Sequence, residues 1–273
     1  MELETDAEDG DYLIVKGRFL MCLLERRIIY PTLNFTTMTT YGIIIQKAVG
    51  SNALASGNRL IPGLKLGEIQ GACWSQTTKL QVSYENLMEW IYTICEKIGG
   101  TANIRLSKIA EEQYEMIFDL LQGADRSMMQ EENPHIVFSD SYNNLLSFTY
   151  FTDTSVKRNF AYVLGKGEGE QHKRTTYFED SEPALLDRYE VYVDAKDISD
   201  EEQKNGETKP IPDAEYIELL KEKGNQNIIP TKTKSESQIA VQSTQFQYGV
   251  DYFVGDFVTV EHQRFGIRQN KIQ

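Results

Sequence analysis

The stretch Tyr189-Glu-Val-Tyr-Val-Asp194 decides the fold class. Successive side chains of an extended chain point to opposite sides, so Tyr189, Val191 and Val193 share one face and Glu190, Tyr192 and Asp194 the other. This alternation predicts a strand in a sheet with one wet face. Working outward, similar aromatic and aliphatic enrichment marks Tyr12-Leu-Ile-Val-Lys16, Tyr114-Glu-Met-Ile-Phe-Asp119, Leu145-Leu-Ser-Phe-Thr-Tyr-Phe151, Phe160-Ala-Tyr-Val-Leu164, 239–246 and 252–260 as strands. Gly249 and Gly255 predict turns within a hairpin made by the last two.

Helices are fewer. Over 41–54, Ile44, Ile45, Ala48 and Val49 gather near one face. After Ser83, read as an N-cap, Tyr84, Leu87, Met88, Ile91, Ile94, Cys95 and Ile98 recur at spacings of three and four. That is one apolar stripe, and Gly99-Gly100 stops it. Trp90 and Tyr92 lie off the stripe, which calls for a second covering surface on that side. A third helix is predicted over 213–228, capped by Asp213 after Pro212, with Tyr216, Ile217 and Leu220 on its apolar face. Gly224 weakens this helix and Pro230 ends the region. The charged stretch 198–210 has no periodicity and reads as a loop, as does 179–183. The fold class is α+β, predominantly β.

At 273 residues the chain is long enough to bury a sizeable core. Its 28 Lys+Arg against 41 Asp+Glu leave a net charge of −13. The longest basic run is His172-Lys173-Arg174, so the basic stripe that grips nucleic acid is absent, and an anionic membrane surface is disfavoured. No apolar stretch approaches the length of a membrane span, and Met1-Glu-Leu-Glu-Thr-Asp6 lacks the basic head of a signal peptide. Cys22, Cys73 and Cys95 are far apart and form no CxxC. They read as free thiols of a chain that folds in a reducing cytosol.

Chemical motifs are weak one at a time. Gly165-Lys-Gly-Glu-Gly169 is GxGxG, matching neither a Walker loop nor a dinucleotide fingerprint, and Glu168 would repel phosphate. It reads as a turn. His135, His172 and His262 are isolated and lack metal-site spacing. Asp194 and Asp197, three apart at a strand end, read as turn caps and not as paired acids. No GxSxG occurs, and Ser127, after Asp125-Arg126, has no partnering motif. The 15 tyrosines and 12 phenylalanines sit in alternating runs that suit core and subunit-interface packing. No catalytic, cofactor-binding or metal-binding residue is expected, no cofactor, and no enzyme activity.

The order of motifs says more. The chain carries Val15-Lys-Gly-Arg18, Leu23-Leu-Glu-Arg-Arg-Ile-Ile29, Ser83-Tyr-Glu-Asn-Leu87, Gly123-Ala-Asp-Arg-Ser127, Val137-Phe-Ser139 and Asn144-Leu-Leu-Ser147. Gly165-Lys-Gly-Glu-Gly169, Asp187-Arg-Tyr-Glu-Val-Tyr-Val-Asp-Ala-Lys-Asp197 and Tyr248-Gly-Val-Asp-Tyr-Phe-Val-Gly-Asp-Phe-Val-Thr-Val260 follow. Over about 13–267 this series resembles the tail-associated hub proteins of siphovirus phages and prophages, relatives of the baseplate hub.

The resemblance implies tail-tube-like β-barrel modules with a helix-containing α/β insertion. They would be a first barrel module with helix at 1–58, the insertion at 59–130, and a second β-barrel at 131–273 crossed by helix 213–228. Family members carry a further β-rich segment before Val15 and continue past Phe265-Gly-Ile267, which leaves the completeness of the first and last barrels open. The resemblance also implies a homotrimer in the virion tail, whose barrels imitate the six-fold tube. Its partners would be the distal tail protein, the tape measure protein and tip or fibre proteins, with DNA only in transit and no membrane. An acidic channel wall would let DNA slide by repelling phosphate. On this reading Val191 faces a barrel core, Glu190 and Asp194 face lumen or solvent, and the 165–169 turn lies at a rim near a neighbour. The family brings no catalytic residues. Two other classes are a glycan- or receptor-binding tail-tip adhesin, which would show an exposed aromatic cluster, and a wall hydrolase, which would show converging acids.

Overall fold

The computed structural model describes residues 2–6, 10–14, 17–168, 171–204, 207–231, 234–241 and 245–270. Val15 and Lys16 of the first motif and Gly169 of the glycine run lie outside these described residues. In chain order the elements are β1 (Glu2–Asp6), β2 (Gly10–Ile14), β3 (Leu33–Thr40), α1 (Tyr41–Ala53), β4 (Leu64–Ile69), β5 (Thr77–Val82), α2 (Leu87–Ile98), β6 (Thr101–Ala110) and β7 (Gln113–Leu121). There follow β8 (Val137–Ser139), β9 (Leu145–Asp153), β10 (Phe160–Leu164), β11 (Arg174–Phe178), β12 (Glu190–Asp194), β13 (Glu201–Lys204), β14 (Glu207–Pro210), α3 (Asp213–Ile228), β15 (Lys234–Val241), β16 (Thr259–His262) and β17 (Ile267–Asn270). The fold is α+β with more strand than helix. The strands form small sheets, ordered β4-β7-β6, β11-β10-β12 and β17-β16-β8, with the pairs β1-β2, β3-β5, β9-β15 and β13-β14. Among the described residues no sheet closes into a barrel.

Three apolar clusters organise these elements. The first runs from Met21 to Leu120 and draws on α1, α2, β3, β5 and β7, so it takes residues from both sides of position 58. Ile44, Ile45, Ala48 and Val49 of α1 are fully buried in it, as the periodicity predicts. The α2 stripe is buried from Leu87 to Ile98, and Gly99 ends the helix in a left-handed conformation at φ 69. The cap of α2, however, is Asn86 and not Ser83. The Asn86 side chain accepts hydrogen bonds from the backbone N–H of Met88 and Glu89 at 3.1 and 3.2 Å, while Ser83 Oγ donates to Asp197 at 3.1 Å. Tyr84 lies between them at φ 59, a left-handed backbone that cannot continue the helix, so this tyrosine points to solvent and leaves the stripe. Of the two off-stripe aromatics, Trp90 is buried and Tyr92 stays exposed; α2 packs against the Ile229–Thr231 turn.

The second cluster packs α3 on the β10 and β12 strands through Ala161, Val163, Val193, Tyr216 and Leu220. Here Gly224 does more than weaken a helix. A Cβ at this position would lie 2.9 Å from both Val163 Cγ2 and Tyr177 Cβ, so its absence lets the helix approach the sheet. Pro212, without a side-chain cap, occupies the N-cap position, and Asp213 sits inside the first turn, paired with Lys173 at 2.8 Å. The third cluster is smaller: Ile136, Phe138, Val258 and Val260, with Phe246 and Tyr252 edge-on to the Phe138 ring.

Two sequence expectations are corrected by long-range pairing. The 198–210 stretch contains the antiparallel pair β13-β14, anchored in the second cluster by buried Ile198 and Ile211 at its two ends. Its strands are polar on both faces, so periodicity could not show them. The segments 239–246 and 252–260 do not form a hairpin together. β15 pairs with β9, and β16 pairs with β17 and, in parallel, with β8.

Candidate functional site

The motifs that stood out in the sequence meet one another in space. Gly123-Ala-Asp-Arg-Ser127 leaves β7 and meets the segment around Asp256. The Asp256 carboxylate, 4% exposed, accepts hydrogen bonds from Ala124 N at 2.7 Å, Arg126 Nε at 2.9 Å and Phe253 N at 3.0 Å. The backbone continues the joint: Phe257 N donates to Ala124 O at 3.0 Å, and Arg126 N to Phe257 O at 2.7 Å. Met128 N donates to Thr259 Oγ1 at 3.0 Å. Gly123 is required here, because a Cβ would lie 1.9 Å from the Gly255 carbonyl oxygen. Gly255 itself has φ +94. Two chain segments 132 positions apart are thereby locked together by a buried charge with three donors.

A second joint unites Leu23-Leu-Glu-Arg-Arg-Ile-Ile29 with Ser83-Tyr-Glu-Asn-Leu87. Asn86 Nδ2 donates to Glu25 O at 2.7 Å, Leu87 N to Arg27 O at 2.9 Å, Ile29 N to Glu85 O at 2.9 Å and Tyr84 N to Ile29 O at 2.8 Å. A third is Asn144, which is 1% exposed. It accepts from Ser139 N and donates to Val137 O, each at 2.8 Å, so Val137-Phe-Ser139 is pinned to the start of β9.

Gly165 to Glu168 of the glycine run follow β10 and are tied back to the residues that lead into β11. Lys166 N donates to Tyr216 Oη at 3.0 Å, Gly165 N to Lys173 O at 2.8 Å, and the His172 ring sits 3.0 Å from Gly165 O. Several of its polar groups are engaged by protein, and burial pushes the Tyr216 phenol above its ordinary pKa.

The candidate chemical residues do not converge. His135 contacts Gln130 O at 2.6 Å, and His262 packs against both the Phe148 and the Phe265 ring, 3.4 Å from Asp140. A backbone N–H from Gln263 holds the Asp140 carboxyl below its ordinary pKa. Of the two acids read as turn caps, Asp194 accepts from Lys196 N at 3.1 Å, whereas Asp197 accepts from the distant Ser83 Oγ at 3.1 Å. Ser127 is buried, and its hydroxyl accepts from Met129 N at 3.2 Å. Among the described residues no group of three His, Cys, Asp or Glu side chains could hold a metal ion. No helix among them is long and apolar enough to cross a membrane.

On the wet face of the β11-β10-β12 sheet, Tyr162 and Tyr192 stand in register beside Glu190 and Asp194, all exposed. Arg188 lies 3.5 Å over the Phe160 ring and pairs with Glu190 at 2.6 Å and Glu182 at 2.7 Å. Its hydrogen bond holds the Glu190 carboxyl below the usual carboxylate range. Sequence reading assigned no role to Asn86, Arg188 or Asp256, although each lies in a quoted motif. Their roles depend on partners distant in the chain.

The whole chain over residues 1–272 matches the family described as Siphovirus ReqiPepy6 Gp37-like protein. The chain belongs to that siphovirus family. No curated protein matches it significantly. Among solved structures it is similar to a tail protein from Neisseria meningitidis MC58, with 14% identity, TM-score 0.45, and coverage of 91% of this chain and 64% of the other. It is also similar to the 43 kDa tail protein of prophage MuSo2 from Shewanella oneidensis, with 10% identity, TM-score 0.46, and coverage of 93% and 66%. A third is the prophage tail protein gp18 from Listeria monocytogenes EGD-e, at 11% identity, TM-score 0.38, and coverage of 99% and 68%. The chain thus spans just under two thirds of the length of the first two of these proteins.

Proposed function

We propose that this chain is a structural hub subunit of the tail tip, non-catalytic and assembled as a homotrimer. It joins the tail tube and distal tail protein to the tip or fibre proteins, and its channel passes the tape measure protein and then DNA. In this reading the 1–58 and 131–273 modules complete tube-like barrels only within the assembly, with 59–130 as the insertion between them. The observation that carries the reading is family membership over essentially the whole chain. Two features support it. The motif residues are used as joints between distant segments, as a load-carrying subunit requires. The net charge of −13 suits a wall along which phosphate slides without sticking.

The test is assembly. Co-expression with the distal tail protein of the same phage, followed by sedimentation and electron microscopy, is expected to show three copies of this chain on a six-fold ring. A subunit that stays monomeric beside every tail partner, or that labels the tail shaft and not its tip, overturns the reading. The tyrosine face of Tyr162 and Tyr192 also allows a check on the adhesin class: saturable binding of cell-wall glycan to the isolated chain, lost in Tyr192→Ala, would replace the hub reading with that one.

A further inference from the structure

The first and second apolar clusters share no buried residue. What joins the bodies built on them includes a row of polar contacts. Gln81 of β5, itself 4% exposed, grips the Ser199 backbone: its Nε2 donates to Ser199 O at 3.0 Å and its Oε1 accepts from Ser199 N at 2.9 Å. Lys97 of α2 pairs with Glu222 of α3 at 2.6 Å, Lys223 of α3 with Glu85 at 2.6 Å, and Lys79 of β5 with Glu215 of α3. A cleft of about 440 Å³, lined by Ser83, Tyr84, Glu85, Asp197, Lys223 and Asn227 among others, opens the same boundary to solvent. The Ile229–Thr231 turn packs against α2 at this boundary.

A boundary of this kind differs physically from a core. Separating apolar cores exposes hydrophobic area to water, at a cost that grows with that area. Separating ion pairs and amide hydrogen bonds returns each group to water, so the net cost per contact is small. We propose that the boundary is a separable, charge-held seam, at which the body built on the second cluster swings away from the first as a unit while both cores stay folded. Ionic strength then sets how often it opens. This inference is independent of the tail role.

Hydrogen exchange on the full chain tests it. The Ser199 amide is the reporter, because its acceptor lies on the far side of the seam. Raising NaCl from about 0.05 M to about 1 M is expected to speed Ser199 exchange roughly tenfold, with β10 and α2 core amides unchanged. At low salt, Glu222→Gln and Lys97→Met reproduce the selective acceleration. Lys221→Ala does not, since Lys221 pairs with Glu218 on its own helix. A Ser199 rate indifferent to salt overturns the proposal, as does acceleration of Ser199 only in step with the core amides, which would mean global unfolding. The salt series uses the unmodified chain, so a variant that fails to fold leaves the test intact.

Discussion

Replacing Asp256 with Ala is the sharpest probe of the motif joints. The carboxylate is 4% exposed and accepts from two backbone N–H groups and from Arg126, whose side chain is 19% exposed. Alanine leaves those donors without their acceptor and a guanidinium without its counter-charge. Breaking a buried pair costs about 3–5 kcal/mol, and each orphaned buried donor about 1–3 kcal/mol, with partial relief where water enters the vacated space. The expected loss is therefore about 4 kcal/mol, a large share of the roughly 5–15 kcal/mol that holds a domain folded. Urea unfolding followed by tryptophan fluorescence and circular dichroism measures it, and calorimetry should show the melting midpoint falling by roughly 8–16 °C. Asp256→Asn, which keeps an acceptor but loses the charge, should fall between. A cycle with Arg126→Ala should show strong coupling, because these two side chains touch. If Asp256→Ala melts within a degree of the parent chain, the joint contributes no stability and the structural role given to these motifs is wrong.

Other outcomes follow from local packing and charge. Gly50→Ala in α1, where an added Cβ meets nothing within 4 Å, should stabilise by about 0.5–1 kcal/mol. Gly224→Ala in α3 should destabilise by about 1–3 kcal/mol through crowding of Val163 and Tyr177; denaturant midpoints compare the two, and equal signs would refute the close-approach argument. Val193→Asp, at a site 3% exposed, should cost several kcal/mol, roughly in the range of an unpaired buried charge, and clearly more than Val191→Asp at the half-buried position, read by thermal unfolding. Burial pushes the Cys95 thiol up to about 12, so native-state alkylation at neutral to mildly alkaline pH should spare it while Cys22, only partly buried, reacts; mass spectrometry reads the site. Burial opposes the Lys97 ammonium, but Glu222 overcomes this and holds its pKa above the ordinary 10.5. A raised lysine pKa means stability that is fully present below the ordinary value and is lost as pH rises through the folded one, so unfolding free energy should fall as pH climbs past the ordinary 10.5 less steeply in Lys97→Met than in the parent.

What the chain announced by itself was local. The α2 stripe from Leu87 onward, the Gly99 stop, the alternation of Glu190–Asp194 and the span of Phe160–Leu164 depend on neighbours within a few residues, and these formed where periodicity placed them, while Tyr84 and Tyr189 at the edges of their patterns stayed exposed. The family, too, was legible from the order of short motifs. Tertiary structure alone decided what those motifs do. Asn86 takes the cap because Ser83 is drawn to Asp197, more than a hundred residues away, and Tyr84 breaks the helix in between. Asp256 matters because β7 delivers Ala124 and Arg126 to it, and β15 pairs with β9 because their register over eight residues outcompetes a local hairpin. The β13-β14 pair, polar on both sides, exists because buried Ile198 and Ile211 hold its ends. Periodicity reports how a segment divides its own faces between apolar and polar surroundings. Which distant donor, acceptor or strand edge meets that segment is settled only when the chain closes on itself, since that choice is made by the sum of contacts across the fold.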